Sequence, residues 1–229
     1  MALYAIGDLH LSGNVDKPMD IFGDQWKQHH ERIKTSWQQT VQKNDTVLIP
    51  GDISWAMNLE DAMIDLQWVD DLPGKKVLCR GNHDYWWSSI KKLNSLFEKM
   101  DFVQNNFFVH EHYAVCGARG WNCPNVHRFT EHDQKIYERE AQRLRLSLDQ
   151  ARGAGHEDFI VMLHYPPTND KLMPSLFTEI CEEYKVNQVV YGHLHGEDSH
   201  GAGLRGNHNG VNYHLVSCDY LQFKLIQIL

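Results

Sequence analysis

Short apolar runs recur along the chain, and each is followed at once by side chains that can bind a metal ion. Five such groups follow one another along the chain: Asp8 with His10, Asp52, Asn82–Asp84, His164, and His193 with His195. Ligands of open α/β sheets bind beyond the carboxyl ends of the strands, so these side chains converge on one edge if the strands are neighbours. Glycines precede Asp52, Asn82 and His193, and glycine permits the sharp turns and close approach that a crowded site requires.

The apolar periodicity predicts strands that alternate with amphipathic helices. Strands are expected at residues 2–6, 46–50, 76–80, 159–163, 188–191, 213–217 and 222–228, with a hairpin or strand pair across 107–118. Helices are expected at 25–43, 59–71 and 87–99, and a long helix opens at Thr130 and ends near Gly153. Asp133 follows Thr130 by three positions, which is typical of a capping box.

Apolar stripes are predicted on three of these helices, and the stripe of the helix at 59–71 consists of Ala62, Leu66 and Val69. The stripe of the first helix is predicted to consist of Trp26, His30, Ile33, Trp37 and Val41. The stripe of the long helix is predicted to consist of Tyr137, Ala141, Leu144, Leu148 and Ala151. Strand–helix alternation early in the chain and consecutive strands late in it favour an α/β fold of two packed sheets flanked by helices. No repeat or linker divides the chain, so residues 1–229 are predicted to form a single domain.

The charge balance narrows the classes of partner. The formal net charge is −8, so the chain has no basic surplus with which to neutralise a long phosphate backbone. A dedicated nucleic-acid-binding protein is therefore disfavoured. An acidic enzyme that acts on an anionic substrate needs a local positive element, and bound metal ions supply one.

Cysteine usage and apolar run lengths together predict a cytoplasmic protein. The five cysteines are widely spaced and no pair forms a CxxC motif, which fits a reducing compartment. Residues 1–12 contain neither a basic region nor a long apolar region, so no secretory signal is expected. No apolar run is long enough to cross a bilayer, so membrane insertion is not expected.

The candidate ligands indicate two metal ions rather than one. Two carboxylates, one amide and four imidazoles form a mixed oxygen and nitrogen set that suits Mn, Fe, Zn or Ni better than Ca, and Mn²⁺ is the expected metal. Seven ligands are too many for one four-coordinate ion. They suit two ions about 3.5–4 Å apart that share a bridging carboxylate, an arrangement that promotes in-line phosphoryl displacement and acidifies bound water to a hydroxide nucleophile.

These blocks, in this order, resemble the signature of the calcineurin-like metallophosphoesterase superfamily from Asp8 to His195. The resemblance implies a four-layer α/β/β/α sandwich and metal-dependent hydrolysis of phosphate esters. The residues it implies for the first metal are Asp8, His10 and His195, and those for the second are Asn82, His164 and His193. Asp52 would bridge the two ions. His83 would be the catalytic histidine, which contacts the phosphate and protonates the leaving oxygen, rather than a ligand.

The chain departs from the protein Ser/Thr phosphatases of this superfamily in its second block. Their block reads GDxVDRG, whereas residues 51–57 read GDISWAM, so both the Asp that orients the catalytic histidine and the Arg that grips the phosphate are absent. A protein phosphatase is therefore not expected, and the group that positions His83 stays open. Asp84 stands where those enzymes have Glu, and it is either a partner of the ligands or a turn residue.

Other polar and aromatic residues near the blocks have ordinary alternative roles. His200 and His214 flank the glycine-rich segment after the last block and are not expected to be ligands. Trp55 suits the wall of a substrate pocket as well as it suits the core. Arg119 and Arg128 either grip a phosphate or form surface salt bridges.

The preferred function is hydrolysis of a small phosphorylated molecule, either a monoester or a diester. Residues 8–11 (DLHL) are also similar to the opening of bacterial UDP-diacylglucosamine pyrophosphatases, but no basic amphipathic helix of the kind that binds a membrane surface is apparent. The acidic charge disfavours a nuclease. The non-enzymatic alternative is a metal-binding scaffold, and the intact His83 and complete ligand set argue against it.

Overall fold

The computed structural model describes residues 1–125 and 129–229, whose strands form two sheets. The strands are β1 (Leu3–Ala5), β2 (Thr46–Pro50), β3 (Lys75–Cys79), β4 (Met100–Val103), β5 (Phe107–His110), β6 (Tyr113–Ala118), β7 (Asp158–Leu163), β8 (Gln188–Tyr191), β9 (Gly206–His208), β10 (Val211–Leu215) and β11 (Ile226–Gln227). The helices are α1 (His29–Thr40), α2 (Leu59–Asp71), α3 (Ile90–Leu93), α4 (Glu131–Gly153), α5 (Leu176–Glu183) and α6 (Glu197–His200). Short 3-10 turns at Met19–Phe22 and Asp24–Trp26 precede α1.

Both sheets are mixed, with parallel strands at their centres. The five-stranded sheet has the order β11-β1-β2-β3-β4, and β11 runs antiparallel to β1. The six-stranded sheet has the order β5-β6-β7-β8-β10-β9, with β5 and β9 antiparallel at its two edges. The loops that follow the parallel strands of one sheet therefore emerge at a common edge.

Alternation of side chains along the strands produces three apolar layers. In β2, Leu48 points into the space between the sheets, whereas Val47 and Ile49 pack with α1 and α2 on the other face. The space between the sheets is filled from both sides by Leu3, Ala5, Leu48, Val77, Val115, Ile160, Met162 and Val190. The outer face of the six-stranded sheet is covered by α4 and α5. The expected four-layer α/β/β/α sandwich is confirmed.

Two helices lie where the sequence predicts them. α2 spans the predicted residues, and the Asn58 side chain caps it by accepting a hydrogen bond from the Asp61 N–H. α4 begins after Thr130 with the predicted capping box, in which the side chains of Thr130 and Asp133 each accept from the other's backbone N–H. All five residues predicted for its apolar stripe are buried. Neither α4, with 23 residues, nor any other helix in the described ranges has the length and hydropathy needed to cross a membrane.

The first predicted helix is shorter than expected, and its buried face is shifted. Asp24–Trp26 forms a 3-10 turn and Gln28 has a left-handed backbone with a φ of 50°, so α1 begins only at His29. The break changes the register, and His29 rather than the predicted His30 faces the core. The other four predicted positions of the stripe are buried.

The helix predicted at residues 87–99 is wrong, because only Ile90–Leu93 is helical there. The Asn94 side chain accepts a hydrogen bond from the Phe102 N–H at 2.8 Å, which turns the chain back towards the sheet. The next segment becomes β4, an unpredicted strand that pairs in parallel with β3. α5 and β9 were not predicted either, and the strand predicted at 222–228 is limited to β11.

Candidate active site

The loops after five parallel strands bring the predicted ligands together where the two sheets meet. These residues are Asp8 and His10 after β1, Asp52 after β2, Asn82 after β3, His164 after β7, and His193 and His195 after β8. The first two loops are joined through their main chains. The Asp8 N–H donates to the Gly51 carbonyl at 3.0 Å, and the His10 N–H donates to the Asp52 carbonyl at 3.0 Å.

Gly81 and Gly192 lie so close to the carboxylates of Asp52 and Asp8 that a side chain would not fit at either position. A Cβ at Gly81 would lie 2.1 Å from Asp52 Oδ1, and a Cβ at Gly192 would lie 2.4 Å from Asp8 Oδ2. Because these distances are far below van der Waals contact, glycine is required at both positions for the carboxylates to lie where they do. The close approach expected from the sequence is confirmed there.

Four of the predicted ligands have a left-handed backbone conformation. Their φ values are 58° for Asp8, 45° for His10, 51° for Asp52 and 74° for His193. Non-glycine residues seldom adopt this conformation, and the surrounding structure must hold them in it. Such residues concentrate at functional sites, so their coincidence with the predicted ligands favours a site at this edge.

Asp8, His10 and His195 form one group of candidate ligands, whose ligand atoms all lie within 4.8 Å of one another. The Nε2 atoms of His10 and His195 are 3.2 Å apart. Asp219 Oδ1 accepts a hydrogen bond from His195 Nδ1 at 2.9 Å, which fixes the orientation of that ring with Nε2 towards the rest of the group. Burial lowers the pKa of His195, but the Asp219 hydrogen bond and the charge of Asp8 outweigh it and raise that pKa to about 9, so a metal that binds Nε2 displaces a proton. Asp219 was not predicted, because no motif marks a residue 24 positions beyond His195.

Asp8, Asp52 and His164 form a second group with the same 4.8 Å limit. Asn82 lies against this group, with its Oδ1 2.7 Å from His164 Nε2 and 2.9 Å from His193 Nδ1. The same two imidazoles approach each other to 3.2 Å between His193 Nδ1 and His164 Nε2. All the residues predicted for the second metal therefore lie within contact distance of one another.

Asp52 and Asp8 connect the two groups. Asp52 Oδ2 is 3.8 Å from His10 Nε2 and 3.5 Å from His164 Nε2. Asp8 Oδ1 is 3.9 Å from His195 Nε2 and 3.6 Å from His164 Nδ1. Each carboxylate thus faces imidazoles of both groups through a single oxygen, and the two groups form one continuous cluster.

The donor chemistry of the cluster fits bound cations. His164 Nδ1 donates to the Pro50 carbonyl at 3.0 Å, and burial lowers the pKa of His164 to about 3, so its Nε2 is an unprotonated acceptor. This nitrogen faces a second acceptor, Asn82 Oδ1, at 2.7 Å. Two acceptors at such a distance repel each other unless a cation lies against both. Burial also raises the pKa of Asp8 to about 7, as expected for a desolvated carboxylate that lacks sufficient positive charge nearby.

His83 lies beside the cluster rather than within it. Its backbone N–H donates to Asp52 Oδ1 at 2.8 Å, which holds the residue next to that carboxylate. Its half-buried ring packs against Trp55, with centroids 4.3 Å apart, and lies 5.8 Å from the His10 ring. Among the described residues no carboxylate hydrogen-bonds to this ring, so the contact with Trp55 positions it. Burial lowers the pKa of His83, although the charge of Asp52 acts in the opposite direction.

Asp84 is a fully buried carboxylate that joins two of the loops carrying candidate ligands. It accepts hydrogen bonds from the backbone N–H groups of Gly81, Asp52 and Ile53 and from the indole N–H of Trp86. Burial, and then the charge of Asp52, raise the pKa of Asp84 to about 7. Asp84 is therefore more than a turn residue, since it positions both Asp52 and the Asn82 loop.

The remaining candidate residues have partners outside the cluster. Arg119 Nη2 lies 3.8 Å from the Glu140 carboxylate, and its guanidinium stacks over Trp121 at 4.7 Å, so Arg119 forms an ion pair whose acidic partner is buried rather than on the surface. Arg128 lies outside the described residues. His200 contacts Asp219 at 3.3 Å, and His214 hydrogen-bonds to Gln188 on β8.

Comparisons with known proteins agree with this geometry. The chain is 35% identical over 190 residues to the gene 66 protein of Mycobacterium phage L5, covering 82% of this chain and 74% of the phage protein. It is 26% identical over 193 residues to the gene 66 protein of Mycobacterium phage D29, with coverage of 82% and 75%.

Two solved structures share the fold. They are a phosphopantetheinyl hydrolase from Mycobacterium tuberculosis (TM-score 0.59, 15% identity, coverage of 100% and 95%) and a protein of unknown function from Aquifex aeolicus (TM-score 0.51, 16% identity, coverage of 99% and 95%).

A family model describes the same residues that the five strand-end blocks occupy. It is the model of the calcineurin-like phosphoesterases, and it matches residues 1–197, a span that includes every candidate ligand. Members of this family are metal-dependent, in agreement with the two groups of candidate ligand atoms. The chain belongs to the calcineurin-like phosphoesterase family and is a metal-dependent hydrolase that acts on phosphoester bonds.

Proposed function

We propose that this chain hydrolyses a small phosphate monoester or diester with two divalent transition-metal ions, Mn²⁺ being the preferred metal. The observation that carries the proposal is the position of Asp52, whose Oδ2 lies 3.8 Å from His10 Nε2 and 3.5 Å from His164 Nε2. This oxygen faces an Nε2 atom in each group, as a bridging ligand requires, whereas Asp8 faces His164 through the Nδ1 atom that is bonded to the Pro50 carbonyl. When bound, two such ions acidify a water molecule and neutralise charge on the phosphoryl oxygens.

Each ion has a defined set of protein ligands in this proposal. The first would be held by Asp8, His10 and His195, the second by Asn82, His164 and His193, and Asp52 would be shared. Asp219 supports the first set, because its hydrogen bond to His195 Nδ1 fixes the orientation of that imidazole. Asp84 supports both sets by holding the backbone of Asp52 and of the Asn82 loop.

His83 is proposed as the group that donates a proton to the departing oxygen. Its ring lies between Trp55 and the cluster, within reach of a phosphate placed against the metal ligands. In the substrate-free chain, burial lowers the pKa of His83. A bound phosphate brings negative charge next to the half-buried imidazole and raises that pKa, which favours the protonated form when it is needed.

A single domain, a small substrate and a cytoplasmic location complete the proposal. Both sheets supply ligands, so we propose that residues 1–229 act as one domain. The formal net charge of −8 disfavours a nuclease, and a small phosphoester remains the preferred substrate. All five cysteines are free and buried, which supports a reducing compartment and the proposed cytoplasmic location.

The replacement Asp52→Asn tests the bridge. We expect wild-type protein to contain up to two transition-metal ions per chain by elemental analysis and to hydrolyse p-nitrophenyl phosphate or bis-p-nitrophenyl phosphate, with EDTA abolishing turnover. Asp52→Asn should lose metal and nearly all activity, because a neutral amide cannot hold two cations together. Asp170→Asn, at an exposed position, is the control and should retain both. A metal-free wild type whose turnover is indifferent to EDTA would contradict the proposal.

A further inference from the structure

A cavity of about 350 Å³ lies against the metal cluster. Its lining includes the imidazoles of His10, His83 and His195. The aromatic side chains of Phe22, Trp26 and Trp55 also line it, and two of them lie directly beside these imidazoles. Pockets of roughly 300–1,000 Å³ with mostly apolar walls and a few convergent polar groups are typical of small-molecule sites. This space, called the aromatic cavity below, has that composition.

The walls of the aromatic cavity are held by contacts that do not depend on a ligand. The Trp55 indole stacks on the His10 imidazole with centroids 4.8 Å apart and an interplanar angle of 21°. Its N–H donates to Met19 Sδ at 3.2 Å, which ties it to the 3-10 turn Met19–Phe22. Trp26 packs edge-on against the His195 ring at 5.6 Å. Both indoles are therefore fixed relative to the candidate metal ligands.

Phe22 differs from the other wall residues because it is exposed. Its side chain is 60% exposed although it stands next to buried Trp26 in the cavity wall. Ile21, its neighbour on the same turn, is 72% exposed but does not line the cavity. An exposed ring beside a reactive cluster is suited to close over an apolar group of a ligand.

Lys17 contributes a positive charge next to Trp55. Its Nζ lies over the Trp55 ring at 5.0 Å from the centroid. The His83 ring packs against the same indole with centroids 4.3 Å apart, so this charge lies near the histidine proposed as the proton donor.

We infer that the aromatic cavity binds an aromatic ring attached directly to the substrate phosphoryl group or its ester oxygen, so that the substrates are aryl-substituted phosphate esters. The inference rests on the proposed function, because the site imidazoles line the cavity. Because these imidazoles and the aromatic residues line the same cavity, a ring bound there would lie next to a phosphoryl group held by the cluster. Ring–ring contacts with the exposed Phe22 and the partly exposed Trp55 favour a flat aromatic group over an aliphatic one of similar size.

Binding of simple phosphonates to the Mn²⁺-loaded protein, measured by isothermal titration calorimetry, tests the inference without turnover. Phenylphosphonate should bind about tenfold or more tightly than methylphosphonate. Phe22→Ala should reduce this ratio to about threefold or less, because one aromatic wall is removed. Ile21→Ala is the matched control on the same turn and should leave the ratio unchanged.

Equal affinity for phenylphosphonate and methylphosphonate in wild type would overturn the inference while leaving the proposed function intact. Failure of both compounds to bind would instead count against the proposed function, because no phosphoryl group would then be held by the cluster. Cyclohexylphosphonate binding as tightly as phenylphosphonate would contradict the preference for an aromatic ring. Thymidine monophosphate binding more tightly than phenylphosphonate would show that the ring is separated from phosphorus by a sugar, and would also overturn the inference.

Discussion

Replacing Asp84 by Asn should destabilise the chain and loosen the candidate metal site, because this carboxylate joins two of the loops that carry ligands. Its Oδ2 accepts hydrogen bonds from the N–H groups of Gly81 at 2.7 Å and Asp52 at 2.9 Å. Its Oδ1 accepts from the Ile53 N–H at 2.9 Å and from Trp86 Nε1 at 3.0 Å. Asparagine has the same shape but only one accepting oxygen.

The expected loss follows from the hydrogen bonds that the amide cannot accept. If its NH₂ group takes the place of Oδ2, the N–H groups of Gly81 and Asp52 lose their acceptor at a fully buried position. Each unsatisfied buried donor costs about 1–3 kcal/mol, which sums to about 2–6 kcal/mol for two. Asparagine is uncharged, so the variant no longer buries a negative charge, and this offsets part of the loss. The cost of burying that charge is what raises the pKa of Asp84 to about 7. We expect the free energy of unfolding to fall by about 2–4 kcal/mol.

Urea unfolding followed by tryptophan fluorescence measures this loss. The protein is treated with a chelator first, so that metal binding does not contribute to the measured free energy of unfolding. The same loss should lower Tm by about 4–16 °C in a chain of this size. Asp16→Asn changes an exposed carboxylate and should remain within about 0.5 kcal/mol of wild type. Wild-type stability of Asp84→Asn, together with wild-type metal content, would refute the reasoning.

Asp219→Asn should weaken binding of the first metal about 10–100-fold, because His195 loses the carboxylate that sets its orientation, and a chelator-competition titration with no change would contradict this role. His83→Ala should lower kcat about 10²–10⁴-fold while elemental analysis finds the metal content unchanged. That loss should be larger for alkyl esters than for nitrophenyl esters, whose leaving group needs no proton; loss of an ion would instead make His83 a ligand. Thr130→Ala should lower the free energy of unfolding by about 1 kcal/mol in urea, because α4 loses its capping box, and an unchanged midpoint would show that the cap contributes nothing.

The local features of this protein follow from short-range rules that can be applied to the sequence. The period of apolar residues and the glycines after them predict where strands end, so the residues of the cluster could be named before the structure was known. Asn58 and Thr130 cap their helices through contacts within a single turn, which is why the starts of α2 and α4 were predictable. The order of the elements favoured two packed sheets flanked by helices, because each sheet must cover both of its faces, and the family resemblance implied the four-layer arrangement.

The features that sequence reasoning missed depend on contacts between distant parts of the chain. Asp219 reaches His195 only because β10 returns beside β8, and no local pattern encodes that return. The helix predicted at 87–99 stops early because the Asn94 side chain bonds to the backbone of Phe102. The helical period is also compatible with the residues between them, so the tertiary contact decides between helix and strand.

The residue types that follow the strands can be read from the sequence, and they indicate a metal-binding phosphoesterase site. The surroundings of that site depend on how the segments pack in three dimensions. The role of Asp84 depends on donors from two loops, and the aromatic cavity combines the turn carrying Phe22 with the loop carrying Trp55. The chemistry of single residues decides which of them can bind a metal. The orientation of these residues and the shape of the pocket depend on packing between distant segments, and no local periodicity specifies where those segments lie.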